Sequence, residues 1–501
     1  MSIIKKLAGQ TMVYGLGTIV PRLLNYLLLT PFYTRIFLQN EYGVVTELYA
    51  YVAFLLVLLT YGMETTYFRY AEKENNPAKV FSTSFITLLT TSLLFVFLIV
   101  IFRNPVAGLI EYSSHSYYIV LLVIIVSLDA VSAIPFARLR RENKAAAFAA
   151  LKCMNVCINI GLNLFFFVLC RKHSLSGSGT FLASLYSEDI GVGYAFISNL
   201  AATGLTFLFL LPGIVRHRMS FDAQLLRKMI VYTFPLLIVG LSGMINEVAD
   251  KIMLKFLVTI PESAFSDQSA YVMSQIGIYG ANYKLAVLMM LFVQMFRYAA
   301  EPFFFAQAKE SESRKVYADV MKYFIISGFI IFLGVMLFID AVKYFIGRDF
   351  HEGLAVVPVV LLANLCFGVF YNLSVWYKLT DRTRYGAFVA LGGATVTIVL
   401  NFILVPVMGY AGAAWATFFC YFSMMAASYF LGRKFFPVAY DLKSALLYCV
   451  VALAVFFFDY YVDFDLKWLN YLVNTVLFLS FLLFAVKREK IRVPGRHGVK
   501  Y

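Results

Sequence analysis

Apolar residues in this chain come in long unbroken runs rather than in alternation. LLTTSLLFVFLIVIF at 88–102 and LLYCVVALAVFFF at 446–458 are two of them. A strand of an outer-membrane barrel alternates apolar and polar positions over roughly ten residues. A helix needs about 20 consecutive apolar residues to cross a bilayer. The runs fit the second pattern and predict spans at about 9–32, 43–68, 80–102, 116–137, 147–169, 191–214, 229–257, 276–305, 320–346, 354–376, 386–406, 410–432, 443–461 and 468–486. The predicted class is an all-α polytopic membrane protein of about fourteen transmembrane helices. Connections are short, and the longest, near 170–190, holds the flexible polar stretch SLSGSGTF.

Composition agrees. Apolar and aromatic residues make up 61% of the chain and charged residues 14%, against roughly 45–50% and about 25% in a soluble domain. The first run follows Lys5 and Lys6 but is long, contains Arg22 and ends without a small-residue cleavage site, so it is expected to remain as an anchor. Cys153, Cys157, Cys170, Cys366, Cys420 and Cys449 lie in or beside apolar runs, where cysteine serves as a small packing residue. The five histidines are scattered over separate loops with no ligand spacing, so neither a metal nor a cofactor is expected.

Charge sets the orientation. With the N-terminus inside and fourteen spans, inside segments hold 29 of the 42 Lys and Arg, outside segments hold 7, and 6 lie within helices. Basic loops around Arg140, Arg216, Lys315 and Arg382 are therefore expected on the cytoplasmic side, with both termini, of a bacterial inner membrane. The net charge of +14 is mostly this orientation signal. Nucleic-acid binding would need a basic folded domain, and no soluble stretch is long enough to form one.

The chain also repeats itself weakly. YGVVTELYAY at 42–51 pairs with IGIYGANYKL at 276–285, FARLRRENKAAAF at 136–148 with WYKLTDRTRYGAF at 376–388, LNLFF at 162–166 with LNFIL at 400–404, and GYAFIS at 193–198 with GAAWAT at 412–417. This suggests six-helix bundles at 1–218 and 219–436, with two further helices and a basic tail at 437–501. Bundles of even helix number share one orientation, about an axis along the membrane normal.

Ionisable residues within spans concentrate on four helices. These are Arg22 in the first, Glu47 and Glu64 in the second, Glu247, Asp250, Lys251 and Lys255 in the seventh, and Lys284, Arg297 and Glu301 in the eighth. The other ten spans add little beyond Asp129, Lys152 and Asp340. A charge at the bilayer centre costs about 2.5–3.5 kcal/mol, so ten facing lipid would cost on the order of 25–35 kcal/mol as an upper bound. The four helices are therefore expected to face one another or water. Glu247 with Lys251, and Arg297 with Glu301, are i,i+4 pairs, which read equally as structural pairs or as part of a binding surface. Arg22 and Lys284 have no opposite charge one turn away in the sequence and are candidate ligand contacts. Pro21 and Pro235 are candidate kinks. Tyr14, Tyr26, Tyr49, Tyr61 and Tyr283 on these helices read as packing or interfacial rings, or as stacking surfaces for sugars.

The stretches TFPLLIVGLSGMINEVADKIMLKFL, IGIYGANYKLAVLMMLFVQMFRYAAEPFFFAQAKE and LNFILVPVMGYAGAAWAT resemble the polysaccharide transporter family of the multidrug/oligosaccharidyl-lipid/polysaccharide flippase superfamily. The features that carry the resemblance are the early Pro235, the pair Asp250–Lys251, the G-x-Y of Gly277 and Tyr279, and the closing Pro302. The resemblance implies a flippase, not an enzyme. Its cargo would be an undecaprenyl-pyrophosphate-linked oligosaccharide, and its partners that cargo, membrane lipids and polysaccharide-assembly machinery for O-antigen, capsule or exopolysaccharide. It implies cavity cations on the pyrophosphate, with Arg22, Lys284 and Arg297 as candidates. The acids Glu47 and Glu64 depart from that pattern, since a further cation would fit the second helix better. An ion-coupled multidrug antiporter, a lipid II flippase and a membrane polysaccharide polymerase are the alternatives. No phosphate-binding loop G-x-x-x-x-G-K-[ST] is present, so a proton or Na⁺ gradient is the expected driving force. Glu64, Asp250 and Glu301 are candidate carriers, while Glu47, Glu247, Lys251 and Lys255 couple ions or balance charge.

Overall fold

The computed structural model describes residues 3–176, 181–216, 219–307, 313–462, 464 and 466–489, and for 3–18, 263, 265, 266, 298, 299, 301, 302 and 305–307 it describes the backbone alone. Among these residues every regular element is helical. The principal helices are α1 (Ile3–Ile36), α2 (Gln39–Thr60), α3 (Met63–Lys73), α4 (Pro77–Ile101), α5 (Arg103–Leu109), α6 (Ser116–Arg141), α7 (Ala145–Leu164), α8 (Gly193–Val215) and α9 (Ala223–Leu257). They are followed by α10 (Gln268–Leu285), α11 (Val287–Gln307), α12 (Ser313–Met336), α13 (Val357–Leu373), α14 (Val375–Leu379), α15 (Thr383–Met408), α16 (Tyr410–Phe435), α17 (Leu442–Tyr461) and α18 (Lys467–Arg488). Twelve helical stretches among the described residues are long and apolar enough to cross a membrane. The pair α10–α11, bent by 52°, makes a thirteenth, and the 34-residue α1 matches the expected first span.

The second and eighth expected spans are each broken, and neither break is made by a proline. The second span divides at Tyr61 and Gly62, both left-handed with φ of 35° and 76°. Glycine reaches that conformation without steric cost, and here a Cβ on residue 62 would also stand 2.9 Å from the Leu236 side chain. The eighth span divides at Ala286, where the Ala286 amide bonds back to the Tyr283 carbonyl in a tightened turn. The helices run uninterrupted through Pro21 and Pro235. Neighbouring groups in a membrane bundle satisfy the carbonyl that a proline leaves free, so proline there need not end a helix.

Packing divides the chain into two compact units. One comprises Met1–Ala281 with Ala390–Ala416, the other Asn282–Val389 with Thr417–Tyr501. These limits differ from the 218/219 and 436/437 boundaries of the sequence repeat, which concern likeness of segments rather than contact. In the first unit Met63, Tyr67, Phe81, Phe85, Ile134 and Met229 form a core between α3, α4, α6 and α9. Asp222 caps α9 by accepting from the Gln224 and Leu225 amides. Lys79 lies 2.6 Å from Asp222 and its hydrogen bond holds that carboxyl below the ordinary aspartate range. In the second unit the Tyr317 hydroxyl bonds the Phe304 carbonyl at 2.9 Å, and the Phe324 ring stacks on Phe292. α17 packs along α12, and α18 is tied to the end of α12 by the Asn474 amide on the Leu337 carbonyl at 2.7 Å.

The crossing of α2 and α10 in the first unit is unusually close. A Cβ on Gly43 would lie 1.9 Å from the Met273 carbonyl oxygen, and one on Gly277 would lie 2.0 Å from that of Gln39. Small residues let membrane helices approach at backbone distance. The glycine of the G-x-Y motif thus has a packing reason. Alanine favours a helix over glycine by about 1 kcal/mol, but here its methyl would strike backbone that cannot rotate away. Gly277→Ala is expected to lower stability by about 1–3 kcal/mol, the usual range for overpacking. Thermal unfolding of the purified protein in detergent measures it, and a variant as stable as the parent would refute the contact.

Candidate substrate site

In the first unit, α1, α3, α6 and α7 bring five charged side chains into one neighbourhood. Lys152 of α7 lies within electrostatic reach of Asp129 and Arg140 of α6, Arg22 of α1 and Glu64 of α3. Arg140 is bonded directly to Glu64, and the Lys152 ammonium sits 4.2 Å from the centroid of the Phe136 ring. α1 packs along α7, and α6 touches both α3 and α7, so four helices hold the cluster in place. Arg22, Arg140 and Lys152 against Glu64 and Asp129 leave one positive charge in excess. Arg22 itself is exposed. Sequence reasoning places Arg140 in an orientation-setting loop and treats Asp129 and Lys152 as scattered background. Their convergence depends on α6 lying between α3 and α7, which no local spacing encodes.

A second group is fully buried. Lys255 of α9 and Glu47 of α2 are 3.4 Å apart, with side-chain exposures of 1% and 0%. Tyr112 donates to the same Glu47 oxygen at 2.6 Å, Lys255 also donates to the Ile110 carbonyl at 2.6 Å, and its ammonium lies 4.1 Å from the Tyr112 ring centroid. A third group lies on α9 and α10. Lys251 donates to Asp250 at 2.9 and 3.1 Å, and Tyr279 donates to Asp250 at 2.6 Å. Lys251 reaches the main-chain oxygen of the exposed Glu247 at 3.1 Å. The ion pair shown for Lys251 is with Asp250, which is buried beside it and needs a counter-charge. Asn246 and Thr397 add a polar contact between α9 and α15, with Thr397 donating to Asn246 at 3.3 Å. Among the five candidate tyrosines, Tyr49 accepts from Asn199 at 3.0 Å, Tyr61 forms the break after α2, and the Tyr14 side chain lies outside the described residues.

In the second unit Arg297 of α11 is exposed. It donates to the Tyr371 hydroxyl at 3.2 Å and lies 4.6 Å from that ring's centroid. Its expected partner Glu301 lies on the same helix, but the Glu301 side chain is outside the described residues. Arg297 shares a small cavity of about 20 Å³ with Lys378 and Asn372. The Asn372 amide nitrogen is buried and has no hydrogen-bond partner among the described residues. Two cations and a buried unused donor make a setting for an anionic oxygen. Lys284 is exposed in the last turn of α10, just before the break at Ala286. Among the described residues no group of His, Cys, Asp and Glu is placed to hold a metal ion.

Comparison with solved structures decides the fold. The structure titled "Lipid II flippase MurJ, inward closed conformation" matches with a TM-score of 0.70 at 16% identity, covering 96% of this chain and 100% of that one. The chain shares its fold with that flippase. A multidrug resistance MATE transporter of the MOP superfamily in an inward-facing conformation matches at a TM-score of 0.63 and 12% identity, over 83% of this chain and 94% of that one. The MATE multidrug transporter DinF-BH matches at 0.57 and 16%, over 89% and 97%. Residues 32–172 match the family model described as "Polysaccharide biosynthesis protein". No curated protein matches the chain. Both the helix number and the resemblance read from helices 7, 8, 11 and 12 agree with this MOP-superfamily fold, which these solved structures place in a flippase and in transporters.

Proposed function

We propose that this MOP-superfamily chain is a flippase for undecaprenyl-pyrophosphate-linked oligosaccharide repeat units. It moves them from the cytoplasmic to the periplasmic leaflet of a bacterial inner membrane, for assembly of O-antigen, capsule or exopolysaccharide, and both its termini are cytoplasmic. The observation that carries this reading is the match of residues 32–172 to a polysaccharide biosynthesis family on a fold shared with a lipid II flippase. Charge supports it further. A pyrophosphate carries close to two negative charges, and arginine can meet it with two parallel hydrogen bonds. Among the described residues, the groups around Arg22 and Arg297 each hold more cations than acids, whereas an exporter of cationic drugs calls for an excess of acids. Arg22, Arg140 and Lys152 are the proposed cargo contacts of the first unit, and Arg297, Lys378 and Asn372 are a separate anion-binding group proposed for the second. Glu64 and Asp250 are the proposed coupling acids.

The test is deletion of the gene followed by analysis of lipid-linked intermediates. Surface polysaccharide should disappear and repeat units should accumulate on the undecaprenyl carrier at the cytoplasmic face. Collapsing the proton and Na⁺ gradients in cells carrying the intact gene should reproduce that accumulation. Normal surface polysaccharide in the deletion strain would overturn the assignment, and export that survives loss of both gradients would overturn the coupling.

A further inference from the structure

A polar pocket and an apolar groove meet on the second unit. The groove has a volume of about 610 Å³ and runs between α12, α13, α16 and α17, with Phe329, Phe418, Phe422, Phe430, Leu446 and Cys449 among its walls. Phe430 and Leu446 are each 66% exposed at its rim. The pocket has a volume of about 310 Å³ and is lined by Arg314, Lys315, Asp319, Lys322 and Asp441, with Pro437 and Ala439. Ala318, Lys322 and Asp441 border both. The polar space and the apolar one therefore adjoin at these three residues. A fully apolar groove alone would be filled by any bilayer chain, and it is the charged mouth that makes this one selective.

The mouth has a definite charge. Lys322 is paired with Glu489 at 2.6 Å and lies 4.0 Å from Asp319. Asp441 caps α17 through the Ser444 amide at 3.0 Å, and Arg488 reaches the Ser444 hydroxyl at 3.4 Å. The hydrogen bonds from Ser444 hold the Asp441 carboxyl below the ordinary aspartate range, so it is ionised at neutral pH. Among the described residues that line the pocket, Arg314, Lys315 and Lys322 face Asp319 and Asp441, which leaves one positive charge. Arg314 and Lys315 are both exposed, with no acidic partner within ion-pair distance among the described residues. The Arg314 guanidinium lies 5.1 Å from the Phe436 ring centroid.

We infer that this pocket and groove bind one anionic phospholipid of the bilayer, with its phosphodiester on Arg314 and Lys315 and an acyl chain in the groove. A single surplus positive charge matches the one negative charge of such a phosphodiester. A pyrophosphate, with nearly two, would leave charge uncompensated there. Basic pockets between membrane helices are a recognised setting for anionic lipid headgroups, and hydrogen bonds to an arginine fork are stronger than those between neutral groups. The inference does not depend on the identity of the transported cargo.

Native mass spectrometry of the purified full-length protein tests it, with phosphatidylglycerol and phosphatidylcholine of identical acyl chains offered at equal concentration. The parent should retain phosphatidylglycerol about tenfold more tightly. Arg314→Ala with Lys315→Ala should reduce that preference to parity. Ala426→Trp, which places a ring in the groove, should weaken both lipids alike. Each variant's melting point in lipid-free detergent serves as the folding control, and Arg314→Gln with Lys315→Gln replaces the alanine pair if that pair melts early. Equal retention of the two lipids by the parent, or an unchanged preference in the arginine–lysine variant, overturns the inference. So does displacement of phosphatidylglycerol by an equal amount of undecaprenyl phosphate, which would assign the groove to the cargo.

Discussion

Export of repeat units is expected to stop when Arg22 is replaced by alanine, with the protein still present in the membrane at the parental level. The reason lies in the charge balance of the cluster it belongs to. Arg140 is already bonded to Glu64, and Lys152 shares its surroundings with Asp129. Removing Arg22 takes away the one net positive charge, so the remaining four groups balance and no longer attract a pyrophosphate. Loss of one oxyanion-hole donor in an enzyme costs on the order of 10²–10³ in rate, and a fall of that order here would read as loss of export. Arg22→Lys keeps the charge but not the planar fork, and should retain partial export. Lys284→Ala should impair export less, because a lysine is a point charge without the planar fork that lets an arginine meet a pyrophosphate with two bonds at once. The measurement is surface polysaccharide per unit of membrane-embedded protein, with lipid-linked intermediates quantified in parallel. A well-expressed Arg22→Ala variant with parental export would make Arg22 structural and remove this site.

How much of this was legible in the sequence depends on the length scale of each feature. Fourteen apolar runs are local, and every one of them falls on a helix. The positions of the breaks are not local. Pro21 and Pro235 are visible as candidate kinks, while breaks at Tyr61–Gly62 and at Ala286 have no such marker. Those breaks arise from a left-handed turn packed on Leu236 and from a tightened turn carrying no signature residue. Site residues divide the same way. Glu47, Asp250 and Lys255 are visible because a charge in an apolar run must have a partner. The partner itself, whether Tyr112 for Glu47 or Tyr279 for Asp250, comes from elsewhere in the chain and looks like one tyrosine among 34. Arg140 is hidden for another reason. A basic residue at the end of a span does two jobs, and orientation accounts for it so well that its contact with Glu64 leaves no separate trace.

The buried Glu47–Lys255 pair should dominate the stability of the first unit. Both side chains are removed from solvent, so each depends on the other for neutralisation. Removing one partner of such a pair leaves an uncompensated buried charge and typically costs about 3–5 kcal/mol, whereas replacing both with apolar groups is often neutral or stabilising. Glu47→Leu is therefore expected to be strongly destabilising. It strands the Lys255 ammonium with only the Ile110 carbonyl and the Tyr112 ring for company. Lys255→Met should cost less, since the Tyr112 hydroxyl still donates to Glu47 and a protonated carboxyl can remain. The double variant should melt close to the parent, because no unpaired charge is left. Melting in detergent, followed by the fraction of protein that stays monodisperse after heating, reads all three. Export measured on the double variant then separates two roles for the pair. If parental stability returns with parental export, the pair only ties α2 to α9 and the turn before α6. If stability returns while export does not, the charges themselves take part in transport. A Glu47→Leu variant that melts like the parent would show that Lys255 finds another partner, and the account of this cluster would fall.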